Sequence, residues 1–102
     1  MNGKTGVTVA VNQNVYELVE ERHNGWNEEA FLKRYSDILA KYDYIVGDWG
    51  YEQLRLRGFY EDTNLKVPFD ARIGSLDEYI LEYCNFGCAY FVLKKIKPAA
   101  NK

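Results

Sequence analysis

Apolar and polar residues change rhythm several times along the chain, and each rhythm predicts a different element. Val7, Val9 and Val11 alternate with Thr8 and Ala10 at the period of a strand, and Asn12-Gln13-Asn14 then supplies turn chemistry. "VYELVEE" (15–21) reads as a second strand with Tyr16 and Leu18 on one face, closed by the turn His23-Asn24-Gly25. The period then lengthens. Phe31, Tyr35, Ile38 and Tyr42, joined by Leu32 and Leu39, recur at helical spacing and predict a helix from 27 or 28 to about 41. Asn27 is its N-cap, and Glu28 and Glu29 stand in the first turn, where the helix dipole favours negative charge. Trp26 and Phe31 hold the two positions of a hydrophobic staple.

The second half opens on a strand, "YIVG" (44–47), followed by a predicted turn at Asp48-Trp49-Gly50 in which Gly50 is free to take a positive φ. "YEQLRLRGFY" (51–60) alternates: Leu54, Leu56 and Tyr60 point one way, inward, while Gln53, Arg55, Arg57 and Phe59 point the other. "LKVPFDARI" (65–73) alternates too and predicts a further strand, placed at an edge because Pro68 has no N–H to donate. Ser75 and Glu78 form a capping box for a second helix whose apolar side is Leu76, Tyr79, Ile80, Tyr83 and Cys84, with Gly87 as its left-handed stop. "CAYFVL" (88–93) is apolar on both faces, the mark of a central strand covered twice. The expected fold is α+β, a single domain over residues 1–102 with a loose leader (1–6) and tail (98–102). It has five or six mostly antiparallel strands, two helices packed on a sheet face, and an N-terminal hairpin free to form a second layer.

Composition refines this reading. Aromatic residues make up 16% of the chain and include nine tyrosines, which suits half-buried sheet faces where rings pack and hydroxyls reach water. A net charge of −2 opposes binding of nucleic acid by charge alone, although a local basic patch on an acidic body stays open. No apolar run approaches the roughly 20 residues that cross a bilayer, and no secretory pattern opens the chain. The expectation is a cytoplasmic protein, without membrane association, whose cysteines are reduced.

Candidate chemistry is sparse. The one histidine, His23, lies in a polar turn, and a structural zinc site wants four soft ligands where this chain offers one cysteine pair. No glycine-rich phosphate loop is present, and no metal or cofactor is expected. In "CNFGC", Cys84 and Cys88 read first as small apolar core residues, and alternatively as a thiol redox pair brought near bonding range by the turn between them. Asp48 reads as an Asx-type turn residue. The best candidate surface is the 48–59 hairpin: Asp48, Trp49, Tyr51, Gln53, Arg55, Arg57 and Phe59. Arginines beside aromatics on a strand face are how sheet modules hold single-stranded RNA, and the same residue types anchor protein interfaces. "RGFY" (57–60) opens like the RNP1 pattern, which Glu61 and Asp62 then break. The preferred reading is a solvated hairpin face whose arginines pair with cross-strand acids such as Asp70.

Two strings, "YDYIVGDWGYEQLRLRGFY" and "EYCNFGCAYFVLKK", together with "YELVEERHNGWNEEAFLKRYSDIL", closely resemble the YutD-like family, small proteins of low-GC Gram-positive bacteria. The likeness runs from about Val11 to Lys95. It implies a cytoplasmic bacterial protein with an α+β domain and assigns no catalytic residue. With it, the chain reads as a non-enzymatic interaction or regulatory module that binds a protein or nucleic acid through the 48–59 hairpin. The alternative is a redox or enzymatic role at Cys84 and Cys88.

Overall fold

The structure, a computed structural model, describes residues 5–50, 52–83 and 88–96. Its strands are β1 (Thr8–Val11), β2 (Asn14–Arg22), β3 (Tyr44–Gly50), β4 (Gln53–Phe59) and β5 (Tyr90–Ile96), and its α-helices are α1 (Glu28–Arg34) and α2 (Leu76–Tyr83). Short 3₁₀ turns lie at Asp37–Lys41, Phe69–Ala71 and Ile73–Ser75. The five strands make one antiparallel sheet in the order β1-β2-β5-β3-β4. The fold is α+β, as the sequence predicts.

The last strand in sequence is the middle strand in space. β5 joins the β1–β2 hairpin to the β3–β4 hairpin, with Leu93 paired to Leu18 on one side and to Ile45 on the other. The N-terminal hairpin is therefore one end of the same sheet, not a second layer. Its turn places Asn12 and Gln13 at φ of 51° and 72°, the two positive values a two-residue hairpin turn requires.

Because β5 is apolar at every position from Tyr90 to Leu93, both sheet faces must be covered, and each helix takes one. Phe91 and Leu93 point to the α1 face, where they meet Tyr16, Leu18, Ile45 and Leu54 beneath Trp26, Phe31 and Leu39. Tyr90 and Val92 point to the α2 face and meet Val46, Phe59 and Leu76. On the first face the rings meet edge-on: Trp26 and Phe91 centroids lie 5.0 Å apart at 83°, and Phe31 and Phe91 6.4 Å apart at 84°. Such pairs add about 0.5–1.5 kcal/mol each beyond burial. Gly47 on β3 makes room for this stack, since a Cβ there would fall 2.2 Å from the Phe91 ring.

The first helix starts as predicted. The Asn27 side chain accepts from the Ala30 N–H at 3.0 Å, and the Trp26–Phe31 staple closes at 5.7 Å between centroids. It stops seven residues on, because Tyr35 and Ser36 turn extended and residues 37–41 resume as a 3₁₀ turn. That break rotates the apolar stripe: Leu39 is buried and Ile38, predicted to share the buried face, is 71% exposed. The predicted strand at 65–73 does not form. Pro68 instead precedes the 3₁₀ turn at 69–71, and only Arg72 bridges to the sheet, in parallel with Tyr60. Ser75 is no N-cap either; its hydroxyl donates to the Arg72 carbonyl at 2.8 Å, so the preceding 3₁₀ turn feeds straight into α2.

The tight seat of β5 gives a direct test. Gly47→Ala should cost about 3 kcal/mol, the upper end of ordinary overpacking, because the Phe91 ring is fully buried and has nowhere to go. Urea unfolding measures it, and an unchanged midpoint would show that the central strand shifts freely.

Candidate interaction surface

The β3–β4 hairpin is longer than its turn chemistry suggests. Asp48, Trp49 and Gly50 all belong to β3, and Gly50 pairs with Gln53 across a two-residue connection in which Glu52 takes φ of 66°. Asp48 is thus a strand residue, opposite Arg55 on β4 and opposite Tyr90 on β5. Strand alternation then divides the predicted surface residues between two faces.

Asp48, Gln53, Arg55, Arg57 and Phe59 share the α2 face. Asp48 is fully buried there, and its carboxylate is satisfied from both oxygens. Arg55 Nη2 donates to Oδ2 at 2.6 Å, and the Tyr79 hydroxyl donates to Oδ1 at 3.4 Å. Burial first, and then the Asp48 charge, push the Tyr79 phenol up to about 12, so it stays protonated and remains a donor at neutral pH. The Arg55 side chain is 51% exposed and carries the charge of the pair outward to water. Phe59 is fully buried, edge-on to Tyr79 with centroids 5.7 Å apart, so it is core and not a stacking platform. Arg57 lies over both of those rings, 5.3 Å from each centroid, and forms no ion pair among the described residues. It shares a shallow cleft of about 110 Å³ with Asp70, Glu78, Glu82 and Tyr79. Gln53 is exposed.

Trp49 sits on the opposite face, half-buried against the α1 core, with its indole N–H donating to the Gly25 carbonyl at 2.8 Å. Tyr51 lies outside the described residues. The seven predicted positions therefore do not form one surface: Asp48 and Phe59 are interior, Trp49 is turned away, and Gln53, Arg55 and Arg57 remain on the outer hairpin.

The expectation of a reduced thiol needs correction at Cys88. Cys88 is half-buried at the edge of the α2-face core and is disulfide-bonded, not the reduced thiol expected. Cys84 lies outside the described residues. Among the described residues, no three histidine, cysteine or carboxylate side chains are grouped to hold a metal, and no helix is long and apolar enough to cross a membrane.

One feature of this region was missed by the sequence reading. Along the outer side of β4 runs a cleft of about 350 Å³, lined by Ile38, Leu39, Tyr42, Leu56, Arg57, Gly58, Tyr60 and Ala71. The Tyr42 ring lies directly over Gly58, where a Cβ would fall 2.1 Å from it, and stacks 4.8 Å from Tyr60. The helical spacing of Ile38 concealed this cleft, because only the break at Tyr35–Ser36 turns Ile38 outward.

The chain belongs to the YutD-like family: the family model described as "Putative antitoxin YutD-like" matches residues 10–94. "Putative antitoxin YutD" of Bacillus subtilis (strain 168) is 68% identical over 82 residues, covering 80% of this chain and 90% of that protein. The solution NMR structure of protein yutD from B. subtilis superposes with a TM-score of 0.80 at 56% identity, over 99% of this chain and 93% of that one.

The Asp48–Arg55 pair predicts an asymmetry. Arg55→Met leaves a buried carboxylate with Tyr79 alone to satisfy it among the described residues and should cost about 3 kcal/mol. Asp48→Asn removes the buried charge and leaves Arg55, whose side chain is 51% exposed, in contact with water, and should cost about 1 kcal/mol. Denaturant unfolding of both variants checks the order, and the reverse order would mean that Asp48 is solvated.

Proposed function

We propose that this chain is a non-enzymatic bacterial regulatory module that binds a protein partner on the outer side of β4. The observation that carries the reading is the cleft of about 350 Å³ beside that strand, where aromatic and aliphatic side chains stand beside polar surface and Arg57, with Ile38 71% exposed at its rim. Tyrosine and exposed apolar side chains around a groove are typical of protein anchors. The word antitoxin in the relatives' names fits a protein that acts by holding another molecule.

Chemistry points the same way. The buried carboxylate most suited to acid–base work, Asp48, is engaged at both oxygens and fully buried, so it has no place for a reacting group. Single-stranded RNA is the weaker candidate. The ring that would stack on a base, Phe59, is under Tyr79, and Arg55 is balanced by Asp48. Arg57 then stands beside three carboxylates on a chain of net charge −2.

A tagged chain expressed in Bacillus subtilis should recover a protein in near-equal amount, unaffected by ribonuclease and by washing at about 0.5 M salt, where phosphate contacts fail. Ile38→Asp, at a position too exposed to affect folding, should reduce recovery by at least about tenfold through an unpaired charge in the contact. Recovery of RNA alone, or a protein retained equally by Ile38→Asp, would overturn the reading.

A further inference from the structure

The sheet ends at β4, and its outer edge is used along only part of its length. In the hairpin register, Gln53, Arg55, Arg57 and Phe59 direct their backbone groups at β3, and Leu54, Leu56, Gly58 and Tyr60 direct theirs outward. The chain itself has covered one end. The Tyr60 N–H donates to the Ala71 carbonyl and the Ile73 N–H donates to the Tyr60 carbonyl, both at 2.8 Å, so residues 71–73 already lie along the edge as a short strand would. At the other end Leu54 is buried. Between them, the outward N–H and C=O of Leu56 and Gly58 have no backbone partner among the described residues.

We propose, building on the protein-partner reading above, that an extended segment of the partner adds to β4 at this gap. It hydrogen-bonds to Leu56 and Gly58, places an apolar side chain in the Tyr42–Leu56–Tyr60 cleft, and sets a carboxylate opposite Arg57. Alternation dictates that pattern: the cleft lies on the Leu56 side of the strand with Arg57 at its border, and the Arg57 side chain turns to the other face, over Phe59 and Tyr79. Arg57 forms no ion pair among the described residues, so a cross-strand acid completes it. The three carboxylates of its cleft limit this to a single acid at the strand edge, not an acidic tract.

A second copy of this chain does not fit the gap. Antiparallel pairing of Leu56 with Gly58 of another copy sets Arg57 against Arg57, and pairing of Leu56 with Leu56 sets Arg57 against Arg55. Like charges directly opposite disfavour both registers, which is how edge strands avoid pairing with themselves.

The probe is a short capped peptide alternating glutamate and leucine, compared with one in which lysine replaces glutamate. NMR-detected hydrogen exchange of the labelled chain should show Leu56 and Gly58 amides slowed about tenfold when the glutamate peptide is near ten times its Kd. The Arg55 and Arg57 amides, already bonded to β3, serve as the internal control. Arg57→Glu should weaken the glutamate peptide by about tenfold and favour the lysine peptide instead. Peptide shifts confined to Ile38 and Tyr42 with unchanged Leu56 and Gly58 exchange would overturn strand addition while leaving the cleft as a docking site. Equal binding of both peptides to both chains, or binding of neither, would overturn it as well; the Ile38→Asp recovery then decides the broader reading by itself.

Discussion

Everything in this fold depends on burying β5 on both faces. A strand that reads Tyr90-Phe91-Val92-Leu93 cannot leave either side in water, so the chain must supply two covers and two neighbours. The two hairpins are the neighbours and the two helices are the covers. Each helix is short, seven and eight residues, and owes its stability to the face it buries more than to its own propensity. Because β5 comes last in sequence, the sheet closes only when the C-terminal strand inserts between hairpins formed from residues 8–22 and 44–59.

That arrangement is the basis for placing the proposed partner at the sheet margin. The broad sheet faces are spent on the helices, and α2 covers the strand face that the arginine–aromatic pattern would otherwise present. The Asp48–Arg55–Tyr79 group closes that side further: a buried carboxylate is tolerable only because a cation and a phenol meet it. One margin left open is where β4 ends the sheet beside the 3₁₀ turn at 37–41. The surface proposed for a partner is therefore an edge with a cleft beside it.

The elements legible in the sequence were those decided by local chemistry. Asn27 capping, the Trp26–Phe31 staple, the Asn12-Gln13 turn and the two-faced β5 all follow from side chains within a few residues of one another. The errors arose where a distant partner overrides the local preference. Asp48 and Gly50 are turn formers, yet Arg55 and Tyr79 draw Asp48 into the strand. Phe59 alternates with the arginines and so read as exposed, until α2, some twenty residues on, covered it. The alternation of 65–73 counted for less than the missing N–H of Pro68 and the hydrogen bonds that tie residues 71–73 to Tyr60. Of the candidate surface, Arg55 and Arg57 were legible as outward charges, whereas the cleft beside them was not, since it exists only because the helix breaks at Tyr35.

The most direct test is hydrogen exchange, resolved by mass spectrometry, on the complex recovered from cells against the free chain. A partner docked on the margin slows exchange in segments 38–42 and 54–60 and leaves the β1 edge and the outer surface of α1 unchanged. Slowing confined to β1 or α1, with 54–60 unaltered, would contradict the assignment of the β4 margin as the binding site.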